Sequence, residues 1–232
     1  MGERRTLRTK RTAVSNKSLT VNKALTILPI LTQEKGGMGM MELSKTIGLN
    51  RSTVYRLVSA LMESGFIRQD PATQKYSLGL KIVELAGHIL AEMDVREVAR
   101  PHLQKLARLS GETIHLSVMN KDGAGGYEIV YIDKVEGAEA VGLLTRVGKS
   151  FPAYLTAMGK ALLSFLPPEE LNEMLDRQQF VARTEYTIAN KQALVEHLKI
   201  VRSLGYAIDN EENRLTARCI GAPIFDATGE AI

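Results

Sequence analysis

Residues 41–65, MELSKTIGLNRSTVYRLVSALMESG, constrain the fold more than any other stretch of this chain. They hold two short helical patterns broken at Gly48, Leu49 and Asn50. Leu43 and Ile47 mark the inner face of the first. Val54, Leu57, Val58 and Leu61 mark the inner face of the second, at the i, i+3, i+4, i+7 spacing of an amphipathic helix. Asn50 is placed to cap that second helix, its side-chain oxygen accepting an orphan backbone N–H near Ser52 or Thr53. Gly48 supplies the unhindered backbone that a tight turn between crossed helices needs.

The outer face carries the chemistry. At 100° per residue Ser52, Tyr55, Arg56 and Ser59 lie opposite the buried stripe, with Arg51 and Thr53 on its N-terminal shoulder. Hydroxyls, a phenol and two guanidinium groups on the first turns of an exposed helix suit phosphate oxygens and base edges in a major groove. The alternative is an ordinary solvated helix face. Residues 66–69 and 75–78 then alternate as two short strands around the turn Asp70-Pro71-Ala72-Thr73-Gln74, and Lys75 stands among the basic residues of this wing. Helix, turn, helix and wing in that order favour duplex DNA as the partner.

The chain has 232 residues, enough for two ordinary domains and too many for one winged module. At 44% hydrophobic and 24% charged it has the composition of a soluble globular protein. No run approaches a membrane span, and no apolar leader opens the chain. Cys219 is the sole cysteine, which excludes an intrachain disulfide framework and fits a reducing cytoplasm. The formal charge is only +4, but Arg4, Arg5, Arg8, Lys10, Arg11, Lys17 and Lys23 crowd the start. Residues 1–18 read as a disordered basic arm on a polyanion or as a plain solvated tail.

In order, residues 20–34 read as the first helix, with Val21, Ala24, Leu25, Leu28 and Leu31 inward and Pro29 as a kink. Beyond the wing, Leu78, Ile82, Leu85 and Ile89 form one stripe, long enough to pack on a twin helix of a second subunit or on its own domain. Residues 94–110 continue as a helix with Val95, Val98, Ala99, Leu103, Leu106 and Ala107 inward. Strands are expected at 113–119, 128–134 and 140–146, helices at 157–165, 168–177 and 190–204, then strands at 206–209 and 218–225. The reading is an α+β chain with an antiparallel sheet.

These residues resemble the IclR family of bacterial transcriptional regulators. The likeness runs from about residue 19 to the end, through Glu42-Leu43, Gly48-Leu49, the run from Ser52 to Leu57, the run from Lys75 to Gly79, and the run from Ala99 to Leu103. Further matches are residues 111–116, 157–161 and 218–223; each is weak alone, and together they are colinear. The resemblance implies a winged helix-turn-helix at 19–79, a linker helix at 80–93 and a GAF-like effector-binding domain at 94–232. It implies a homodimer or dimer of dimers on a DNA operator, answering to a small keto or hydroxy acid or an aromatic acid. Two departures stand out: such proteins usually continue past a final strand and helix, whereas this chain stops at Ile232, and residues 120–127 look longer than the family's usual turn.

Thr156 to Lys160 opens a helix whose small residues Ala157 and Gly159 either admit a ligand carboxylate to the backbone N–H groups or serve close packing. The resemblance favours a ligand, because the family's pocket uses this helix start, Met158 included, with positions matching Asp209 and Cys219. Ala140, Leu143 and Phe151 match positions in the loop and strand that wall it. Cys219 also invites a nucleophile reading with His115 or His197, against the commoner role of a small buried hydrophobe. No phosphate loop, paired metal-ligand histidines or dinucleotide fingerprint occurs, so neither metal nor cofactor is expected, nor catalytic residues. The sequence therefore reads as a DNA-binding transcriptional regulator controlled by a small acid. An enzyme on the C-terminal domain and a nonspecific DNA binder are the rivals.

Overall fold

A computed structural model describes residues 16–120, 126–138 and 145–232, and the chain divides into two compact units, 1–92 and 93–232. Residues 1–15 of the basic arm read at 1–18, Ala140, Leu143 and most of the strand expected at 140–146 lie outside the described residues, and residues 16–18, read as part of that arm, belong to the first helix.

In the first unit, helix α1 (Asn16–Ile30) is followed by α2 (Met40–Ile47) and α3 (Arg51–Glu63), then by strands β1 (Ile67–Gln69) and β2 (Tyr76–Leu78) and helix α4 (Lys81–Ala91). Helix α1 begins before and ends before the span read from sequence. Pro29 brings no N–H to the ladder, and past it the backbone tightens into i+3 bonds, Thr32 to Pro29 and Gln33 to Ile30. Its buried arc also differs from the expected one. Ile27 and Leu31 are buried with Ala24 and Leu28 beside them, whereas Val21 and Leu25 are exposed, because α2 and α3 pack on the Ile27 side.

The crossing of α2 and α3 follows the expected chemistry. Glu42 accepts the Gly39 N–H at 3.4 Å at the start of α2. Gly48 closes that helix at φ 72°, in the left-handed region that a side chain would strain. Asn50 caps α3, its Oδ1 accepting the Thr53 N–H at 2.9 Å. Leu43, Val54, Leu57 and Val58 are buried with Ile27, Met38, Ile67 and Tyr76. Strands β1 and β2 pair antiparallel with Arg68 opposite Ser77, and Met38 extends the wing by bridging Tyr76. Asp70 Oδ1 ties the wing turn by accepting from the Ala72 and Thr73 N–H groups and the Thr73 hydroxyl. Helix α4 has no fully buried residue: Leu80, Val83, Leu85 and Ile89 are exposed and Ile82 half-buried.

The second unit opens with α5 (Asp94–Ser110), which packs on strands β3 (Ile114–Asn120) and β4 (Glu128–Val135). Ala99, Leu103 and Ala107 face the sheet; Val98 and Leu106, read as inward from sequence, are exposed. A third strand, β5 (Ser150–Pro152), was not foreseen and completes the antiparallel order β3-β4-β5. It is three residues long and ends at a proline, which gives no alternation to read. Behind the sheet lie a 3-10 turn (Ala153–Leu155), α6 (Ala157–Leu163), α7 (Pro168–Arg177) and α8 (Lys191–Leu204). Strands β6 (Ala207–Asn210) and β7 (Arg218–Gly221) form a separate antiparallel pair, β7 stopping well short of the expected residue 225. The core gathers Ile129, Tyr131, Leu155, Leu163, Leu175 and Leu194.

Candidate functional site

The first candidate surface lies on α3. Burial of Val54, Leu57 and Val58 turns the opposite side of the helix to solvent. Tyr55 is 59% exposed, Arg51, Ser52 and Arg56 are exposed, and Thr53 and Ser59 are half-buried at the edges of the same face. The Ser52 hydroxyl donates to Asn50 Oδ1 at 3.0 Å, so the cap and the first turn share one hydrogen-bonded cluster. On the wing, Lys75 is exposed just before β2, and Arg68, which the sequence reading did not single out, is exposed on β1 with its Nε donating to Ser77 Oγ at 3.2 Å. Alternation along a three-residue strand was too short a signal to find it.

The second candidate lies in the other unit, where the sheet faces α6, β6 and β7. The register pairs Ser117 with Tyr131, and His115 stacks on the Tyr131 ring with centroids 4.7 Å apart. Phe151 of β5 follows at 5.7 Å from Tyr131, with the Lys149 ammonium 4.7 Å over its ring. Met158 Sδ accepts from the Ser117 hydroxyl at 3.4 Å. Across from them Asp209 and Cys219 stand directly opposite each other in the β6–β7 pair. Thus Phe151, Met158, Asp209 and Cys219 come together with three residues that sequence reasoning missed, His115 as a wall, Ser117 and Tyr131. The missed residues alternate along β3 and β4, a pattern shared with any half-buried strand.

Ala157 borders this cluster, since Cys219 packs against the group to which Ala157 belongs. It is buried with Ala161, Val201 and Ala207, and its small size serves packing of α6 on α8 and β6. Gly159 and Gly221 act the same way. A Cβ on Gly159 would sit 2.2 Å from the Ala153 carbonyl oxygen, and one on Gly221 would sit 2.5 Å from the Met158 nitrogen. Thr156 caps α6 by accepting the Gly159 N–H at 3.0 Å.

Beneath this cluster lies a fully buried lysine. Lys160 donates to Glu212 Oε1 at 2.5 Å and to the Ile208 carbonyl at 2.7 Å. Glu212 N–H in turn donates to Asp209 Oδ1 at 2.8 Å. Glu212 Oε2 and His197 Nε2 are buried without a hydrogen-bond partner. A lysine one turn into a helix reads as surface in a sequence, so no signal announced this pair.

Burial dominates the titration of the site. It lifts the Asp209 carboxyl above the ordinary range; the Glu212 and Asn213 N–H groups and Lys160 pull the other way, while Glu212 adds to the rise. Burial and then the Asp209 charge raise the Cys219 thiol. Burial, Cys219 and Asp209 push Tyr131 up to about 12. His115 is lowered to about 4 by burial and by Lys134. Its Nε2 lies 2.6 Å from Thr145 Oγ1, and Lys134 Nζ donates to the Thr145 carbonyl at 3.2 Å. On the far side of the sheet, Arg100 Nη1 reaches both Asp133 oxygens at 2.6 Å. Burial raises that carboxyl, but Arg100 and the Lys134 N–H outweigh it and hold Asp133 below the usual range.

Among the described residues no group of three or more metal-ligating side chains converges, and no helix is long and apolar enough to cross a membrane.

Comparison with known proteins places both units. Residues 20–71 match the IclR helix-turn-helix domain, and residues 87–232 match the bacterial transcriptional regulator IclR C-terminal domain. The HTH-type transcriptional regulator XynR of Escherichia coli is 35% identical over 212 residues, covering 91% of this chain and 82% of that protein. The crystal structure of Thermotoga maritima IclR shares 34% identity with a TM-score of 0.66, covering 92% of this chain and 84% of that one. An IclR homologue of Microbacterium hydrocarbonoxydans, solved in complex with 4-hydroxybenzoate, has a TM-score of 0.75 at 23% identity, a likeness of fold over 92% of this chain and 85% of that one.

Proposed function

We propose that this chain, which belongs to the IclR family of bacterial transcriptional regulators, reads a specific duplex site through the outer face of α3 and the wing, as a dimer, in the cytoplasm. The observation that carries this reading is the division of α3 into two faces. Its apolar residues are consumed by the core, and Arg51, Ser52, Tyr55 and Arg56 are left to solvent on the first turn and a half. That is the part of a recognition helix that meets base edges, while Lys75 and Arg68 on the wing suit the phosphate backbone. Arg56→Ala tests it: loss of a bidentate base contact weakens specific binding by about 1–3 kcal/mol, measured by fluorescence anisotropy on an operator duplex. Unchanged affinity at moderate salt removes Arg56 from the interface.

The effector reading places a small keto, hydroxy or aromatic acid on the cluster of Phe151, Met158, Asp209 and Cys219, with His115, Ser117 and Tyr131 on the sheet beneath it. Ring faces, a thioether and a few convergent polar groups are the lining such ligands use. The 4-hydroxybenzoate bound by the Microbacterium hydrocarbonoxydans homologue makes an aromatic hydroxy acid a rational first probe. Asp209→Ala then lowers effector affinity by one to two powers of ten, about the loss of one charge-assisted hydrogen bond, and leaves DNA binding without effector intact. Ala157 plays no part in this test, because a larger side chain there disturbs the core of the unit. Catalysis at Cys219 is disfavoured: its thiol is pushed up rather than activated, and the stacked His115 is engaged with Thr145.

A further inference from the structure

Three ionisable side chains meet behind the β6–β7 pair, and their charges do not balance. Lys160 is fully buried, and its ammonium group is committed to Glu212 Oε1 and the Ile208 carbonyl. Lys160 from α6 therefore matches one carboxylate, that of Glu212. Asp209 is only 4% exposed and makes its contacts with backbone N–H groups, not with a cation. The one cation that acts on it is Lys160 itself, whose ammonium is bonded to Glu212. Tyr131 from β4 and Cys219 from β7 are both held protonated by burial, and Glu212 from the turn after β6 is acidic. Glu212 Oε2 lies buried with no partner, which leaves the negative side of the cluster under-compensated already.

A ligand carboxylate arriving at this cluster adds one more negative charge beside carboxylates that are themselves buried, Asp209 at 4% and Glu212 at 6% exposure. Two like charges sharing a low-dielectric site do not both ionise; one of them takes a proton. The carboxyl already disposed that way is Asp209, which is buried, has no cation bonded to it and lies beside Glu212; the two backbone N–H groups and the more distant Lys160 offset its charge only in part. Once protonated, it becomes a hydrogen-bond donor to a ligand oxygen, where an ionised carboxylate would only repel it.

We infer that effector binding is coupled to the uptake of one proton at Asp209, which then donates a hydrogen bond to an acceptor oxygen of the bound acid. The inference rests on the acid reading of the site given above. It makes regulation sensitive to pH: the acid binds more tightly as the medium acidifies, and ligands presenting a keto or carboxylate oxygen to Asp209 are preferred over those presenting only a hydroxyl donor.

The test uses the full chain. Pyruvate, lactate and 4-hydroxybenzoate are compared by thermal shift at pH 6, and the tightest is titrated calorimetrically at pH 7.5 in phosphate and in Tris, buffers of unlike ionisation enthalpy. The expected result is uptake of close to one proton per bound acid, with affinity falling about tenfold per pH unit on the alkaline side. Asp209→Asn keeps the shape and a donor but cannot take up a proton, so the binding that it shows, weaker or not, should lose both the uptake and the pH dependence. A measured uptake of zero, or an uptake that persists unchanged in Asp209→Asn, overturns the inference while leaving the acid site in place. If none of the three acids binds, the acid reading itself fails and the inference falls with it. A second arm needs no ligand: stability of the empty protein should decline as pH rises above the ordinary aspartate range, and Asp209→Asn should remove that decline. Identical pH–stability profiles for the two proteins overturn the inference as well.

Discussion

Lys160 shows how far a single side chain departs from its usual habit. A lysine is almost never fully buried unless paired, and here the pairing with Glu212 closes α6 onto the turn after β6. Lys160→Met leaves a buried carboxylate without its partner, and denaturant unfolding of the C-terminal unit should show a loss of about 3–5 kcal/mol. Replacing both partners, Lys160→Met with Glu212→Leu, should recover most of that loss, because no orphaned charge remains. An additive double variant contradicts the pairing. His115 makes a second residue-scale prediction, in pH. Its folded pKa of about 4 lies below the ordinary 6.5, so between these values the unfolded chain binds more protons. Stability is complete above pH 6.5 and declines as pH falls towards 4. His197 is shifted in the same direction, again by burial first, so His115→Asn flattens the thermal profile only in part. A profile that His115→Asn leaves unaltered shows that the fold does not shift His115 and contradicts its burial as the neutral form.

At the scale of elements, α4 is a helix without a core. Its exposed Val83, Leu85 and Ile89, with half-buried Ile82 and with Leu80 exposed at its N-cap, hold three residues of the stripe read from spacing; the fourth, Leu78, lies in β2 and packs on the core of the first unit. The proposal that a second subunit covers it predicts that Ile82→Lys with Ile89→Lys lowers the mass in sedimentation and weakens DNA binding together. An unchanged mass assigns the stripe to its own subunit. The elements also show what was legible. The caps at Asn50, Asn190 and Thr156 and the glycine stops at Gly48, Gly111 and Gly205 are local signals, and α2, α3, α5 and α8 match their sequence readings within a residue or so. The inward face was legible only where one stripe exists. Helices α1 and α5 carry apolar residues over a wider arc, and the choice between Ile27 and Val21, or Ala99 and Val98, is made by neighbours distant in sequence. The same holds for the ligand cluster. Asp209 and Cys219 came from family likeness, while Ser117, Tyr131 and Glu212 join them only through strand register and a turn.

At the scale of the whole molecule, one chain of a transcriptional-regulator family carries a helix-turn-helix unit within residues 1–92 and an IclR C-terminal unit within residues 93–232. The positive charge of the chain is concentrated in the first unit, which favours any duplex, so sequence preference must come from placed contacts on α3 and the wing. The measurement that tests this most directly is selection of bound duplexes from a random pool at fixed moderate salt, with wild type and Arg56→Ala run in parallel. The account predicts that the wild type enriches one sequence of two inverted half-sites about one helical turn apart or a multiple of it, bound at least about 10³-fold more tightly than unrelated DNA, and that Arg56→Ala relaxes the preference at one position in each half. A pool that emerges without sequence preference, or an Arg56→Ala profile identical to wild type, would contradict it.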